Sequence, residues 1–277
     1  MVGAQLIMKQ MLLVLCCFVC VQNSFGNTDN ELSLFSVSSE KRVVFSQGNV
    51  QYHPKKNLWR FAPNQYDVIG ITNQKVSPSY NGWVDLFGWG TGDKPVLATG
   101  NYKDYSKYVD WGANVSTTSV QWRILTQKEW RYLLLERENA SKLLGVGSVA
   151  GVMGVFILPD GANSFNSKLD FISLADQDAI KKMTYYSWTN RLVLNKYTSK
   201  QWEALESMGV VFLPFAGKRD VQAVEQVGNS GYYWSSDNDP TTLLRSYGLW
   251  ISNMNINTMQ PISKQVGCAV RLVNDVK

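Results

Sequence analysis

Few residues in this chain could do chemistry, and their spacing argues against catalysis at most of them. The sole histidine is His53, beside Pro54. A Ser-His-Asp or Cys-His arrangement would have to use it, as would an imidazole-ligated metal. Its position next to a turn reads instead as an ordinary polar turn residue. Zinc and non-haem iron sites usually draw on several His or Cys ligands, which this sequence lacks. Gly145-Val146-Gly147-Ser148-Val149-Ala150 spells a dinucleotide-binding glycine pattern. That pattern needs a following helix whose N-terminus receives the pyrophosphate, whereas Val152, Val155 and Phe156 continue as strand. A glycine-rich hairpin is expected there. Gly88-Trp89-Gly90-Thr91-Gly92-Asp93-Lys94 hints at a phosphate loop, but Pro95 stands where Ser or Thr is required. Its glycines are expected to let the backbone thread between Trp83, Phe87 and Trp89.

The acidic residues are similarly uninformative. Asp237-Asn238-Asp239-Pro240 could offer oxygens to calcium, but no distal Glu completes a binding loop. A polar turn is the expectation. Asp160, Asp170, Asp176 and Asp178 show no spacing that pairs two carboxylates for acid–base work. Cys268 shares alternation parity with Val270 and Leu272, as a buried, inert thiol would. No catalytic residue, metal ligand or cofactor is expected, and an enzymatic role ranks behind binding and structural roles.

The elements that must position any site are mostly short strands. Leu32 to Val37 and Arg42 to Phe45 come first. Asn49 to His53 and Leu58 to Phe61 flank the turn Pro54-Lys55-Lys56-Asn57 as a hairpin. Ser77 to Asp110 is rich in Gly, Tyr, Trp and Asp, and reads as a long ordered loop pinned by aromatics. A helix opens at Thr126, where Thr126 and Glu129 form a capping box, with Trp130, Leu133 and Leu134 on one face. Leu143 to Val149 and Val152 to Leu158 form a hairpin turning at Ala150-Gly151. A second helix opens at Thr198 with Gln201 as its polar partner, carries Trp202 and Leu205 inward, and stops near Gly209. Val210 to Leu213, Tyr232 to Ser235, Ser246 to Ser252 and Cys268 to Val273 complete the strands. Val155 to Pro159 echoes Val211 to Pro214. Helices among many short strands give an α+β fold with mainly antiparallel pairing.

Compartment follows from the N-terminus. Lys9 precedes an uncharged apolar run from Met11 to Val21, and Ser24-Phe25-Gly26 offers small residues at a cleavage site. This pattern describes a secretory signal over residues 1–26, followed by one domain over 27–277. The run is too short to leave a membrane span. A buried N-terminal helix is the alternative. Cys16, Cys17 and Cys20 lie within this segment without a preceding Gly, Ala or Ser, so plain secretion is favoured over a lipoprotein. Only Cys268 then remains, and the core must hold the fold without a disulfide. With 45% hydrophobic and 18% charged residues the chain can bury such a core. Its net charge of +5 is scattered, which disfavours a nucleic-acid partner. Ten Trp and thirteen Tyr exceed what a core needs and suggest a contact surface.

That surface is best sought in the C-terminal third. In Ser246-Tyr247-Gly248-Leu249-Trp250-Ile251-Ser252, placing Leu249 and Ile251 inward turns Ser246, Trp250 and Ser252 toward solvent. An exposed Trp is a typical binding anchor. The alternative is that the loop Asn253 to Lys264 covers Trp250 as a minor core. Asp237, Asp239, Arg245 and Asn253 would lie at the rim of the contact face.

Several segments carry a family likeness. They are Phe45 to Tyr52, Trp59-Arg60-Phe61-Ala62, Asp85 to Thr91, Trp122 to Thr126, Val211 to Gly217, Gly231-Tyr232-Tyr233-Trp234-Ser235-Ser236 and Val270-Arg271-Leu272-Val273. In this order the chain resembles the secreted FISUMP-type (major paralogous domain) proteins of anaerobic gut and rumen bacteria. The resemblance implies a C-type lectin-like fold, related to variable bacterial and phage binding proteins that contact ligand between the Trp-Ser-Ser and Val-Arg-Leu-Val segments. Here that window is Asp237 to Gly267. It also implies a likeness in fold to formylglycine-generating enzymes, whose active-site cysteines this chain lacks. The Glu-Pro-Asn and Trp-Asn-Asp calcium signatures of animal lectins are missing too. The expected function is a secreted or surface-displayed module that binds a glycan or protein ligand. The alternative is a structural subunit of a surface fibre or envelope assembly.

Overall fold

Local chemistry explains where the first elements begin and end. The computed structural model describes residues 33–164, 171–176 and 195–276. The expected signal segment, residue Leu32, Asp170 and Asp178 lie outside the described residues. Strands β3 (Val50–His53) and β4 (Leu58–Phe61) pair antiparallel across a 3-10 turn at Pro54–Lys56. Proline supplies the fixed φ that opens the turn, and Asn57 closes it in the left-handed region at φ 48°. Strands β1 (Phe35–Ser36) and β2 (Arg42–Phe45) precede this hairpin.

The stretch from 77 to 110 is mostly loop, as its composition predicts, with one 3-10 turn at Tyr102–Tyr105. It doubles back so that Thr91 and Val109 form an isolated bridge. Gly88 is needed there, because a Cβ would sit 2.2 Å from the Tyr105 ring. Strand β5 (Trp122–Ile124) leads into helix α1 (Gln127–Arg131), which continues as a π-helical turn over Tyr132–Glu136. Helix α2 (Ser199–Ser207) stops before Gly209, at φ 81°. Both helices open on complete capping boxes, Thr126 with Glu129 and Thr198 with Gln201. Each box satisfies two otherwise free N–H groups. Trp130, Leu133, Leu134, Trp202 and Leu205 are all buried, as their spacing predicts.

The glycine pattern at 145–150 forms a hairpin with no helix behind it. β6 (Leu144–Val149) turns at Ala150 and Gly151, both at positive φ, into β7 (Val152–Ile157). Gly147 lets β8 (Asn195–Tyr197) approach as a parallel neighbour, since a Cβ would meet the Asn195 carbonyl oxygen at 2.1 Å. The echoed segments are adjacent strands: β7 pairs antiparallel with β9 (Val211–Pro214), with Phe156 opposite Phe212. The sheet order is β8-β6-β7-β9.

A small ribbon, β10 (Lys218–Asp220) with β11 (Ala223–Glu225), leads into a three-stranded meander. Its strands are β12 (Ser230–Asn238), β13 (Arg245–Ser252) and β14 (Ile256–Ser263). The last strand, β15 (Leu272–Asp275), closes the sheet β1-β2-β15-β5. The protein is thus mixed α+β, and every described strand pair except β6–β8 is antiparallel. Among the described residues no helix is long and apolar enough to cross a membrane.

The meander lies between two apolar clusters. Tyr233, Leu249 and Ile251 enter one, with Trp130, Leu213 and Val273. Trp234 and Ile262 enter the other, with Trp89, Trp111, Val50 and Cys268. A third cluster seats α2 on the β6–β7–β9 sheet through Trp202, Phe156 and Phe212. Cys268 is fully buried, and burial pushes its thiol pKa up, which keeps it protonated and inert.

Candidate functional site

Register across the meander decides which of the expected contact residues meet. Tyr232 stands opposite Trp250, and Trp250 opposite Asn257, so these three share one face. The Tyr232 and Trp250 rings lie near-parallel, 21° apart in plane and 6.4 Å between centroids. Both side chains are half-buried. The Trp250 Nε1 is sealed from solvent without a hydrogen-bond partner, so the exposed part of the indole is carbon. Polar groups ring this shelf. The Tyr232 hydroxyl donates to Gln226 Oε1 at 2.9 Å, and Asn257 Nδ2 donates to Gln260 Oε1 at 3.0 Å. The Lys218 ammonium sits 5.7 Å from the Tyr232 ring centroid. A flat apolar surface edged by amides can take the C–H face of a sugar ring while its hydroxyls find partners.

The other expected contact residues are placed differently. Leu249 and Ile251 point inward as expected, but Ser246 and Ser252 do not reach solvent. Ser246 is 0% exposed and stands opposite Ile262, a member of the buried cluster that also holds Trp89. Its hydroxyl is 3.5 Å from Asn238 Oδ1. Ser252 is 9% exposed and accepts hydrogen bonds from the Met254 and Asn255 N–H groups, which fastens the β13–β14 turn. Asn253 is half-buried in the same turn. The four residues Ser246, Trp250, Ser252 and Asn253 therefore do not form one open face.

Asp237 and Asp239 also serve the fold. An Asp237 carboxylate oxygen accepts the Gln127 N–H at 2.5 Å, anchoring the start of α1 to β12. Asp239 is 4% exposed and accepts from both the backbone and hydroxyl of Thr241, at 2.9 and 2.6 Å. Those bonds, with Arg245 beside them at 3.3 Å, hold its carboxyl below the usual range. The pair closes the β12–β13 loop and displays Leu243 (80% exposed) and Leu244 (44%) at its tip. Among the described residues no group of three potential metal ligands comes together.

His53 is buried, as the N-cap of the Pro54–Lys56 turn, where its Nδ1 accepts the Lys56 N–H at 3.3 Å. Trp83 packs edge-on against it and takes the Arg60 guanidinium on its face at 3.7 Å. Trp234 is wholly buried, and its Nε1 donates to the Phe87 carbonyl at 2.6 Å. Sequence reasoning missed Tyr232 as Trp250's partner. The signal lay in pairing Gly231 to Ser235 against Gly248 to Ser252, but the register that makes them neighbours is a tertiary fact. It also missed Lys264, which is 4% exposed and sets its ammonium over the Trp89 ring. Compared with family models, with curated proteins and with solved structures, the chain matches none of them.

Proposed function

We propose that this chain is an exported surface protein of the FISUMP type with a C-type lectin-like fold. In this reading it binds a glycan at the Tyr232–Trp250 shelf, without catalysing a reaction. The observation that carries the reading is the near-parallel aromatic pair, half exposed, on the flank of β12 and β13. Stacked rings with amides at their edge suit sugar C–H faces better than they suit a reacting bond. His53 gives no support to a catalytic role, since its Nδ1 is spent on a turn. A protein ligand on the same shelf is the nearest alternative within this reading.

A second reading, a subunit of a surface fibre or envelope assembly, draws support from Leu243 at the loop tip, 80% exposed. The two separate by experiment. Secreted protein should elute as a monomer and be retained on immobilised glycans, with Trp250→Ala weakening retention by about 2 kcal/mol or more. The same change should cost about 1–2 kcal/mol of stability, because only half the indole is covered, whereas Trp234→Ala should cost ~3–5. Concentration-dependent polymer without glycan retention would favour the assembly reading. Normal retention by folded Trp250→Ala protein would remove the shelf as the site.

A further inference from the structure

Just past the far end of the same sheet lies a cation, Lys264, that sits on an aromatic ring and meets no acceptor among the described residues. Lys264 follows β14, and its backbone N–H donates to the Leu244 carbonyl at 3.0 Å. Arg245 stands opposite Ser263 and Ser246 opposite Ile262, so this bond carries the pairing one step beyond the strands, into the turns that hold Leu244 and Lys264. Lys264 is 4% exposed, and its ammonium lies 4.4 Å from the Trp89 ring centroid. Neither a carboxylate nor a hydrogen-bond acceptor from the described residues meets that ammonium. Burial lowers its pKa, and no neighbouring acid opposes the shift. The tip of the ammonium keeps some access to solvent.

An ammonium carries three donors, and a ring face satisfies its charge only in part. Taking such a group out of water is costly unless an anion or strong acceptor completes its shell. Two other buried cations are better met. Arg271 donates to four oxygens, and Arg137 pairs with Asp160 at 2.9 Å. Lys264 has the Trp89 ring face, and its backbone is bonded to that of Leu244, next to the exposed Leu243.

We propose that Lys264, with Leu244 beside it, forms a binding site for a carboxylate borne on an apolar group. Trp89 holds the lysine stem and ammonium in place, the ligand carboxylate accepts the free donors, and its apolar part covers Leu244 and Leu243. The site lies about 20 Å along β13 from Trp250, at ~3.3 Å per residue. It therefore stands apart from the aromatic shelf and can fail or hold independently of it.

The test uses the full chain, isotope-labelled, titrated with N-acetyl-leucine and with its neutral amide. N-acetyl-leucine should shift the Leu244 and Lys264 amides and the Trp89 indole, leaving the Tyr232–Trp250 shelf unmoved. It should bind at least about tenfold more tightly than the amide, the scale of one charge-assisted hydrogen bond. Lys264→Met, which keeps the stem and removes the charge, should abolish that preference. Equal binding of acid and amide, or shifts that persist in Lys264→Met, would overturn the proposal. Should Lys264→Met not fold, reductive methylation of the native protein decides: N-acetyl-leucine, and not the amide, must protect Lys264.

Discussion

At the scale of single residues, the buried ionisable groups are the most consequential. Asp85 is wholly buried and accepts from the Ile69 N–H at 3.1 Å and the Asn73 amide at 2.7 Å. Burial outweighs those bonds and pushes its pKa up to about 6 from 3.8. A raised acid pKa means that the folded state binds the proton more tightly than the unfolded chain. The associated stability is thus full below pH 3.8 and is lost as pH rises through about 6. The loss by pH 7 amounts to roughly 3 kcal/mol, at ~1.4 per unit. Glu129 and Asp275 act in the opposite sense. Burial disfavours the Glu129 carboxylate, but hydrogen bonds from Arg123 and Thr126 prevail and lower its pKa. The Arg123 hydrogen bond likewise lowers Asp275. Their contribution is lost as pH falls through the acidic range. Urea unfolding across pH 3 to 8 should therefore show greatest stability near the unfolded carboxylate range, at about pH 4, with a decline that ends near pH 6. Asp85→Asn should flatten that decline, whatever it does to absolute stability. An unchanged slope in the variant would assign the pH dependence elsewhere.

Among the elements, α2 shows how far local rules reach. The Thr198 hydroxyl accepts the Gln201 N–H at 3.3 Å, and Gln201 Oε1 accepts the Thr198 N–H at 2.9 Å. Beneath this cap, Trp202 and Leu205 bury the only apolar stripe of the helix in the cluster around Phe156 and Phe212. A helix of this length is not stable alone, so packing holds it and the cap sets where it begins. Thr198→Ala should cost about 1 kcal/mol, and Thr198→Ser much less, because Ser restores the acceptor. Thermal unfolding of the three proteins checks this. Equal destabilisation by Ala and Ser would mean that the threonine methyl matters and the hydrogen bond does not.

For the whole molecule, Arg271 ties distant segments together. It is wholly buried, with its pKa pulled down to about 10 by burial, and remains charged at neutral pH. Its Nε donates to Asn49 Oδ1 at 3.0 Å, Nη1 to the Ser46 carbonyl at 3.1 Å and Gln65 Oε1 at 3.3 Å, and Nη2 to the Phe212 carbonyl at 2.7 Å. One guanidinium thus joins the β2–β3 connection, the segment after β4 and strand β9. Arg219 plays a similar part near Leu86, donating to its carbonyl at 3.1 Å, though its Nε is sealed without a partner. Arg271→Met should cost on the order of 3–5 kcal/mol, since it strands several buried acceptors. Arg271→Lys should not rescue it, because an ammonium cannot reproduce the planar fork. Chemical denaturation reads both variants, and a loss below about 1 kcal/mol would show that the acceptors find other partners.

The sequence alone determined whatever depends on near neighbours. The turn at Pro54–Asn57, the hairpin at Ala150–Gly151, both capping boxes and the helical spacing of Trp130, Leu133 and Leu134 are local. Backbone sterics and short-range hydrogen bonds specify them without reference to the rest of the chain. Alternation likewise put Leu249 and Ile251 on one face of β13. It could not say what covers the other face, because that depends on where the long aromatic loop returns. Ser246 was buried opposite Ile262, and a turn recruited Ser252. Asp237 and Asp239 likewise became anchors for a helix and a loop. The pairing of Tyr232 with Trp250, the four acceptors around Arg271 and the seat of the Lys264 ammonium on Trp89 join residues far apart in sequence. Such contacts follow from register and burial, which only the folded chain fixes.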